Sequence, residues 1–241
     1  MPIGVELTVA YLRLRLVTDL RALVVDYGGV LTSPLQDAMQ SWCEDDEVDV
    51  ALFRRVMREW LGTSYGDEAA TNPVHALERG EIAIPDFERE LAKRLHTHDG
   101  RPVEPEGLLA RMFAGFRHEA PMMAAVRTAR RRGLKTALLS NSWGLDYPRE
   151  QWAGAFDAVV ISGEVGMRKP EPAIYLHAAK LLDVAPEQCV FVDDLAPNVR
   201  GAVAVGMVGV RHVSPNESIR ELETLFGLSL RDGGGEEPVA P

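Results

Sequence analysis

Five polar side chains have the types and positions needed to transfer a phosphoryl group: Asp26, Ser140, Lys169, Asp193 and Asp194. Each follows an apolar run typical of a buried strand, directly or after one loop. In open parallel sheets the ligand binds outside the carboxyl ends of the strands, where residues distant in sequence meet. Any one of these residues alone is equally well explained as a turn or cap residue. Their coincidence at strand ends predicts one active site.

The consecutive acids Asp193 and Asp194 indicate a bound cation, because burying two like charges is costly unless a positive group neutralises them. Asp26 adds a third carboxylate, and histidines and cysteines are too few for a zinc site. Oxygen ligands favour Mg²⁺, with waters and a phosphate completing its coordination. The alternative is a solvated acidic pair that caps the helix around Asn198.

These groups predict a specific reaction. With Mg²⁺ and Lys169 drawing off negative charge, the carboxylate of Asp26 could attack phosphorus and form an aspartyl-phosphate, which water then hydrolyses. Ser140, nearby backbone N–H groups and the turn at Gly28 and Gly29 would hold the transferring oxygens. The expected substrate is a small phosphorylated metabolite.

Composition narrows the function classes. The 241 residues carry 26 Lys and Arg against 36 Asp and Glu, a formal charge of −10 that opposes contact with nucleic acid or anionic lipid. No apolar run approaches the ~20 residues of a membrane span. Two distant cysteines, Cys43 and Cys189, predict a reducing, cytoplasmic location. A homodimer and a monomer both remain open.

The elements that position the site predict an α/β fold. Short apolar runs alternate with helical patterns, which indicates a Rossmann-like, doubly wound, mostly parallel sheet. Residues 34–117 instead have apolar positions at helical spacing and predict an inserted α-helical cap domain. Residues 1–33 and 118–230 are then the core domain, and 231–241 a disordered tail. The alternation over 8–17 predicts an edge strand or an extended arm.

The sequence resembles the haloacid dehalogenase-like (HAD) hydrolase superfamily over roughly residues 21–226. Its four motifs occur in the family's order and spacing, as Asp26-Tyr27-Gly28-Gly29-Val30-Leu31, Ser140-Asn141, Lys169-Pro170 and Asp193-Asp194. Within the insertion, Leu77-Glu78-Arg79-Gly80-Glu81-Ile82 resembles the helical cap of a subgroup that includes the N-terminal phosphatase domain of epoxide hydrolases. The resemblance implies the same α/β core and cap.

The resemblance also implies a metal set. Asp26 would be both nucleophile and Mg²⁺ ligand, and Asp194 a direct ligand. Asp193 would stand beside it, either on the ion or behind its ligands. The backbone carbonyl of Gly28 would supply a further oxygen, which does not depend on the side chain at that position.

A second group implied by the resemblance binds the substrate. Ser140 and Lys169 would contact the phosphoryl group and act in catalysis, and Asn141 would line the pocket. The glycines at 28 and 29 would let the backbone approach the phosphate closely.

Gly28 departs from the usual pattern of the family's phosphatases. There a second Asp stands two residues after the nucleophile and acts as general acid and base, a role that contributes ~10²–10⁴-fold. Two alternatives therefore remain. One is a 2-haloacid dehalogenase, in which Asp26 attacks carbon without a metal, although the acids Asp193 and Asp194 disfavour it. The other is a binding protein whose catalysis has weakened through the loss at Gly28.

Overall fold

The structure is a computed structural model that describes residues 19–62, 72–144 and 146–231. The strand or arm predicted over 8–17 lies outside the described residues. So does the predicted tail, except for Arg231.

Within the described residues, one five-stranded sheet with all strands parallel organises the fold, which agrees with the mostly parallel sheet that the sequence predicts. Its strands occur in the order β3-β2-β1-β4-β5. The fold class, a Rossmann-like α/β sheet with flanking helices, is confirmed. The strands are β1 (Ala22–Val25), β2 (Lys135–Ser140), β3 (Ala158–Ile161), β4 (Cys189–Asp193) and β5 (Val208–Arg211).

The strands are buried on both faces, which explains why their sequences are continuous apolar runs. In β1, Leu23 and Val25 point into one apolar cluster, while Ala22 and Val24 point into a second cluster on the opposite face. This alternation follows from the two-residue repeat of an extended chain.

Helices of the core cover both faces of the sheet. On the first face lie α6 (Ala120–Arg131) and α10 (Pro215–Phe226), which contribute Val126 and Leu222 to the first cluster. On the second face lie α8 (Pro172–Leu182) and α9 (Ala196–Ala204), which contribute Ile174 and Ala202 to the second cluster. A short helix, α7 (Ser162–Val165), directly follows β3.

Among the described residues, five helices lie between β1 and α6 in sequence. They are α1 (Leu35–Asp45), α2 (Val50–Gly62), α3 (Pro73–Glu78), α4 (Ile84–Ala92) and α5 (Leu108–Phe113). They enclose an apolar cluster of their own that includes Trp42, Phe53 and Phe87. Trp143, from the loop after β2, inserts into this cluster, so the insertion packs against the carboxyl edge of the sheet. Within the described residues, no helix combines the length and apolar character needed to cross a membrane.

Candidate active site

The site lies at the carboxyl edge of the sheet, between the two strands where the direction of strand order changes. From β1 the chain adds β2 and β3 on one side, and then β4 and β5 on the other. Val25 pairs with Val192, and the backbone N–H of Asp26 donates to the carbonyl of Val192 at 2.9 Å. Asp26 therefore leaves the sheet next to Asp193, at the point where such sheets bind ligands.

Lys169 joins these two strand ends. Its Nζ lies 2.7 Å from Oδ1 of Asp26 and 2.7 Å from Oδ2 of Asp193. The Lys169 side chain is only 1% exposed, so water screens these ion pairs weakly. Burial alone lowers the pKa of a lysine. The negative charges of Asp193 and Asp26 outweigh this effect and raise the pKa of Lys169 above its usual value. The ammonium therefore stays charged.

Asp193 is fully enclosed and already has its hydrogen-bond partners. Besides Lys169, it accepts from the backbone N–H of Leu195 at 2.8 Å. The side-chain amide of Asn198 lies 3.1 Å from both of its carboxylate oxygens. These contacts account for the burial of a charged side chain. Asp193 is thus held in one orientation by groups from two loops and a helix.

Asp194 differs from its neighbour, since it is partly exposed and faces a cavity. Its carboxylate lies over the backbone of Gly29, which has a left-handed φ of +76°. Ligand oxygens of Asp26, Asp193 and Asp194 all lie within 4.8 Å of one another. The arrangement offers a divalent cation carboxylate ligands, which are the chemistry that Mg²⁺ requires.

The pKa values of these acids reflect their crowding. Burial, followed by the charge of Asp193, raises the pKa of Asp194 to about 6. Burial also raises the pKa of Asp26, with Asp193 and Asp194 adding to the effect and Lys169 opposing it. One ammonium faces three carboxylates, which leaves two uncompensated negative charges when all three are ionised. That imbalance matches one divalent cation.

Ser140 ends β2 on the other side of Asp26. Its Oγ lies 2.9 Å from the hydroxyl of Tyr147, a residue that the sequence did not indicate as part of the site. Burial raises the pKa of Tyr147 to about 12, so the phenol stays protonated at neutral pH. Tyr147 belongs to an irregular loop seven residues further on, where no periodic signal could have indicated the contact.

Asn141 contacts the loop that carries the lysine. Its side-chain amide donates to the carbonyl of Lys169 at 3.1 Å and its Oδ1 accepts the backbone N–H of Lys169 at 2.9 Å. The structure therefore pairs the Asn141 amide with backbone, although Asn141 also lines the cavity above the site. This double contact fixes the base of the Lys169 side chain relative to Ser140.

A cavity of about 860 Å³ opens from these residues toward the inserted helices. Its floor includes Asp26, Gly28, Gly29, Ser140 and Asp194. Its upper wall is mostly apolar and comes from the insertion and the loop after β2, with Met39, Val50, Phe53, Met57, Phe113, Phe116 and Trp143. Two arginines of α2, Arg54 and Arg58, also line it. The volume accommodates a substrate much larger than phosphate.

The parallel sheet, the helices inserted after β1 and the acid–lysine cluster together form a covered site at the carboxyl edge of the sheet. Residues 20–206 match the family model for haloacid dehalogenase-like hydrolases. The chain belongs to this family.

Two curated relatives illustrate the match. Bifunctional epoxide hydrolase 2 from Sus scrofa is 27% identical over 227 residues, which cover 88% of this chain and 40% of that protein. The chain thus spans less than half of this relative. The sesquiterpene phosphatase astK from Aspergillus oryzae is 29% identical over 216 residues, 87% of this chain and 98% of the relative.

Solved structures share the fold. A HAD-like family hydrolase from Porphyromonas gingivalis superposes with a TM-score of 0.62 at 20% identity, covering 86% of this chain and 98% of that one. A HAD family enzyme from Bacteroides thetaiotaomicron, in complex with magnesium and inorganic phosphate, has a TM-score of 0.58 at 17% identity. The match covers 80% and 94% of the two chains.

Proposed function

We propose that this protein is a Mg²⁺-dependent phosphatase that hydrolyses small phosphomonoesters through an aspartyl-phosphate on Asp26. The proposal rests on one observation, the cluster of three acids around one buried lysine. When all of these groups are ionised, two negative charges remain uncompensated. Relatives named as phosphatases support the reaction class. The magnesium and phosphate in the enzyme from Bacteroides thetaiotaomicron support the cation and the reacting group.

The residues have distinct roles in this proposal. Asp26 is the nucleophile, and Lys169 holds its carboxylate in position and offsets charge on the transferring group. Asp26, Asp194 and the carbonyl of Gly28 would hold the ion. Asp193, whose oxygens already accept from Lys169, Leu195 and Asn198, would act behind them. Bound Mg²⁺ supplies Lewis-acid stabilisation of the phosphoryl oxygens.

The phosphoryl group would lie between the two loops that follow β1 and β2. The hydroxyl of Ser140, oriented by Tyr147, would donate to a phosphoryl oxygen. Gly28, beside which a Cβ would meet no atom within 4 Å, would leave the backbone open to that oxygen's approach, whereas the Asp194 carboxylate covers Gly29. Asn141 would keep Lys169 in register with Ser140. The proposed core, 1–33 with 118–230, supplies all of these groups, and the proposed cap, 34–117, covers them.

The cavity supports a preference for an apolar leaving group. The part of its wall that the insertion contributes is mostly apolar and includes Phe53, Met57 and Phe116, together with charged residues such as Arg54 and Arg58. Burial of a hydrocarbon leaving group there is favourable by about 0.8 kcal/mol for each methylene. We therefore propose phosphomonoesters with an extended apolar part as the substrate class, within the small phosphorylated metabolites.

A series of straight-chain alkyl phosphates tests both parts of the proposal. With Mg²⁺ present, phosphate release should increase with chain length, kcat/KM rising by up to ~4-fold for each methylene that is buried. Asp26→Asn should abolish release. Equal rates for ethyl and dodecyl phosphate would contradict the apolar preference, and unchanged activity in Asp26→Asn would contradict the nucleophile.

The same assay separates the alternatives. Halide release from 2-haloacids without a metal would indicate a dehalogenase, whereas tight ligand binding without any turnover would indicate a binding protein. Sedimentation of the purified protein decides between a monomer and a homodimer, which the sequence leaves open. Both cysteines carry buried, unpaired thiols, which supports the proposed cytoplasmic location.

A further inference from the structure

Glu78 is a buried acid from the insertion that lies over the candidate active site. It is the last residue of α3, it is 5% exposed, and it also borders the cavity. Both of its carboxylate oxygens bind groups of the α/β core. Oε1 accepts from the indole N–H of Trp143 at 3.0 Å, and Oε2 accepts from Nε of Arg168 at 2.5 Å.

The two partners of Glu78 belong to the loops that carry the reactive groups. Trp143 is three residues beyond Ser140, and Arg168 immediately precedes Lys169. Beneath them, Asn141 bridges the same two loops through its paired hydrogen bonds with the backbone of Lys169. Glu78 is therefore a second bridge between these loops, supplied by the insertion.

Neighbouring contacts hold this part of the insertion tightly against the core. Arg79 pairs with Glu171. Gly80 has a φ of +72° and lies so close to Gly163 that a Cβ on it would be 2.6 Å from the Gly163 carbonyl oxygen. The segment from Glu78 to Gly80 thus lies close to the backbone of the core, and a small displacement would separate Glu78 from both partners.

We infer that Glu78 is a positioning residue, which makes the placement of Ser140 and Lys169 depend on the docked insertion. The Arg168 side chain is 11% exposed, and its other acid, Glu171, lies 4.0 Å away. Without Glu78, a nearly buried cation beside Lys169 would lose its close partner, and the loop would shift to solvate it. The inference rests on the proposed phosphatase function for its catalytic consequence.

The test compares Glu78→Gln with Glu81→Gln. Both replace an acid of the same segment by its amide, but Glu81 is exposed and its contact with Arg79 is 3.9 Å long. With p-nitrophenyl phosphate as substrate, Glu78→Gln should lower kcat by at least ~10-fold, because small misplacements of reacting groups are costly. KM and the Mg²⁺ activation constant should change little, and Glu81→Gln should behave as the wild type.

A residue that contributes only to folding would lower the melting temperature and leave kcat of the folded enzyme unchanged, and that result would overturn the inference. Arg168→Gln and the double variant complete a cycle. If the pair acts as a unit, the double variant should be no slower than the slower single variant. Glu78→Asp should restore part of kcat, because it retains the charge.

Hydrogen exchange tests the placement independently of catalysis. Amides of 140–144 and 166–171 should exchange faster in Glu78→Gln than in Glu81→Gln, and unchanged exchange in both loops would refute the inference. If the wild type releases no phosphate, the proposed function fails, while exchange still decides whether Glu78 orders the loops.

Discussion

The carboxylate of Asp194 occupies the space next to Gly29 that a side chain there would need. A Cβ at Gly29 would lie 2.6 Å from Oδ2 of Asp194, and the φ of +76° is already unfavourable for other residues. At Gly28, by contrast, a Cβ would meet no atom within 4 Å. The two adjacent glycines thus differ, because only the first leaves room for a side chain.

Gly28→Asp should therefore be tolerated and should increase turnover. Position 28 is where the resembling phosphatases have their general acid, and that role contributes ~10²–10⁴-fold. We expect kcat for alkyl phosphates to rise at least ~10-fold, since their leaving groups need protonation. For p-nitrophenyl phosphate, whose leaving group is stable as an anion, kcat should change little. Phosphate release by both substrates measures the difference.

Gly29→Ala is the matched control for that gain. Its methyl group would displace Asp194, so we expect weaker Mg²⁺ activation and lower turnover with every substrate. Equal effects of Gly28→Asp on the two leaving groups would show that the new carboxylate does not protonate the leaving group.

Removal of the buried ammonium should impair both stability and turnover. Lys169→Met leaves Asp26 and Asp193 without their shared cation, and kcat should fall ~10²–10³-fold, as for other lost charge-stabilising donors. In EDTA the melting temperature should also decrease. Lys180→Met, an exposed lysine of α8, is the control. A Lys169→Met protein as stable as the wild type in EDTA would contradict the balance of one ammonium against three carboxylates.

Stability without Mg²⁺ should decrease as the pH rises from about 4 to about 7. The pKa of Asp194 is raised from 3.8 to about 6, and that of Asp26 is raised too, so the native state binds more protons than the unfolded chain over this range. The free energy of unfolding falls as the pH rises wherever the native state binds more protons than the unfolded chain. Melting temperatures in EDTA measure this slope.

Saturating Mg²⁺ should reverse the trend, because the ion binds the deprotonated acids of the native state. Asp194→Asn should reduce both the slope in EDTA and the stabilisation by Mg²⁺. If the variant and the wild type show the same pH dependence, Asp194 does not titrate in the way its burial requires.

The arginines of α2 should assist substrate capture. Arg54 and Arg58 line the cavity, and no acid among the described residues forms an ion pair with them. In a chain of net charge −10 they provide local positive potential for an anionic ester. The variant with Arg54→Gln and Arg58→Gln should lose ~2–10-fold in kcat/KM at low salt, with kcat unchanged.

Arg55→Gln provides the control for this effect, since Arg55 lies on the same helix but does not line the cavity. The loss should shrink in about 0.5 M salt, where exposed charges are screened. A loss that persists at high salt, or that Arg55→Gln reproduces, would argue against steering by these two arginines.

Much of the sheet follows from local sequence. The apolar run over 158–161 predicts a strand and the helical spacing over 172–182 predicts a helix, and the structure has Ala158–Ile161 and Pro172–Leu182 in these states. The pattern over 198–205 predicts a further helix, which the structure has over Ala196–Ala204, so it begins two residues earlier than predicted. Such boundaries depend on caps and on Pro197 in the first turn, which periodicity does not register.

The surroundings of Asp193 and Asp194 could not be predicted from the local sequence. Sequence marks Asp193 and Asp194 as a pair but does not reveal that one is enclosed by Lys169, Leu195 and Asn198 while the other faces the cavity. Along a strand, successive side chains point in opposite directions, and the neighbours each one meets come from distant segments.

The α/β class, the interruption by helices and the residues at the strand ends all follow from the order of amino acids, because backbone periodicity and turn residues act over short distances. Other features exist only in the folded chain. They are the enclosure of Asp193 by its hydrogen-bond partners, the free space beside Gly28, the apolar wall of the cavity and the contact of Glu78 with Arg168. The last of these joins side chains 90 residues apart. Such meetings are a consequence of packing, which no local pattern encodes.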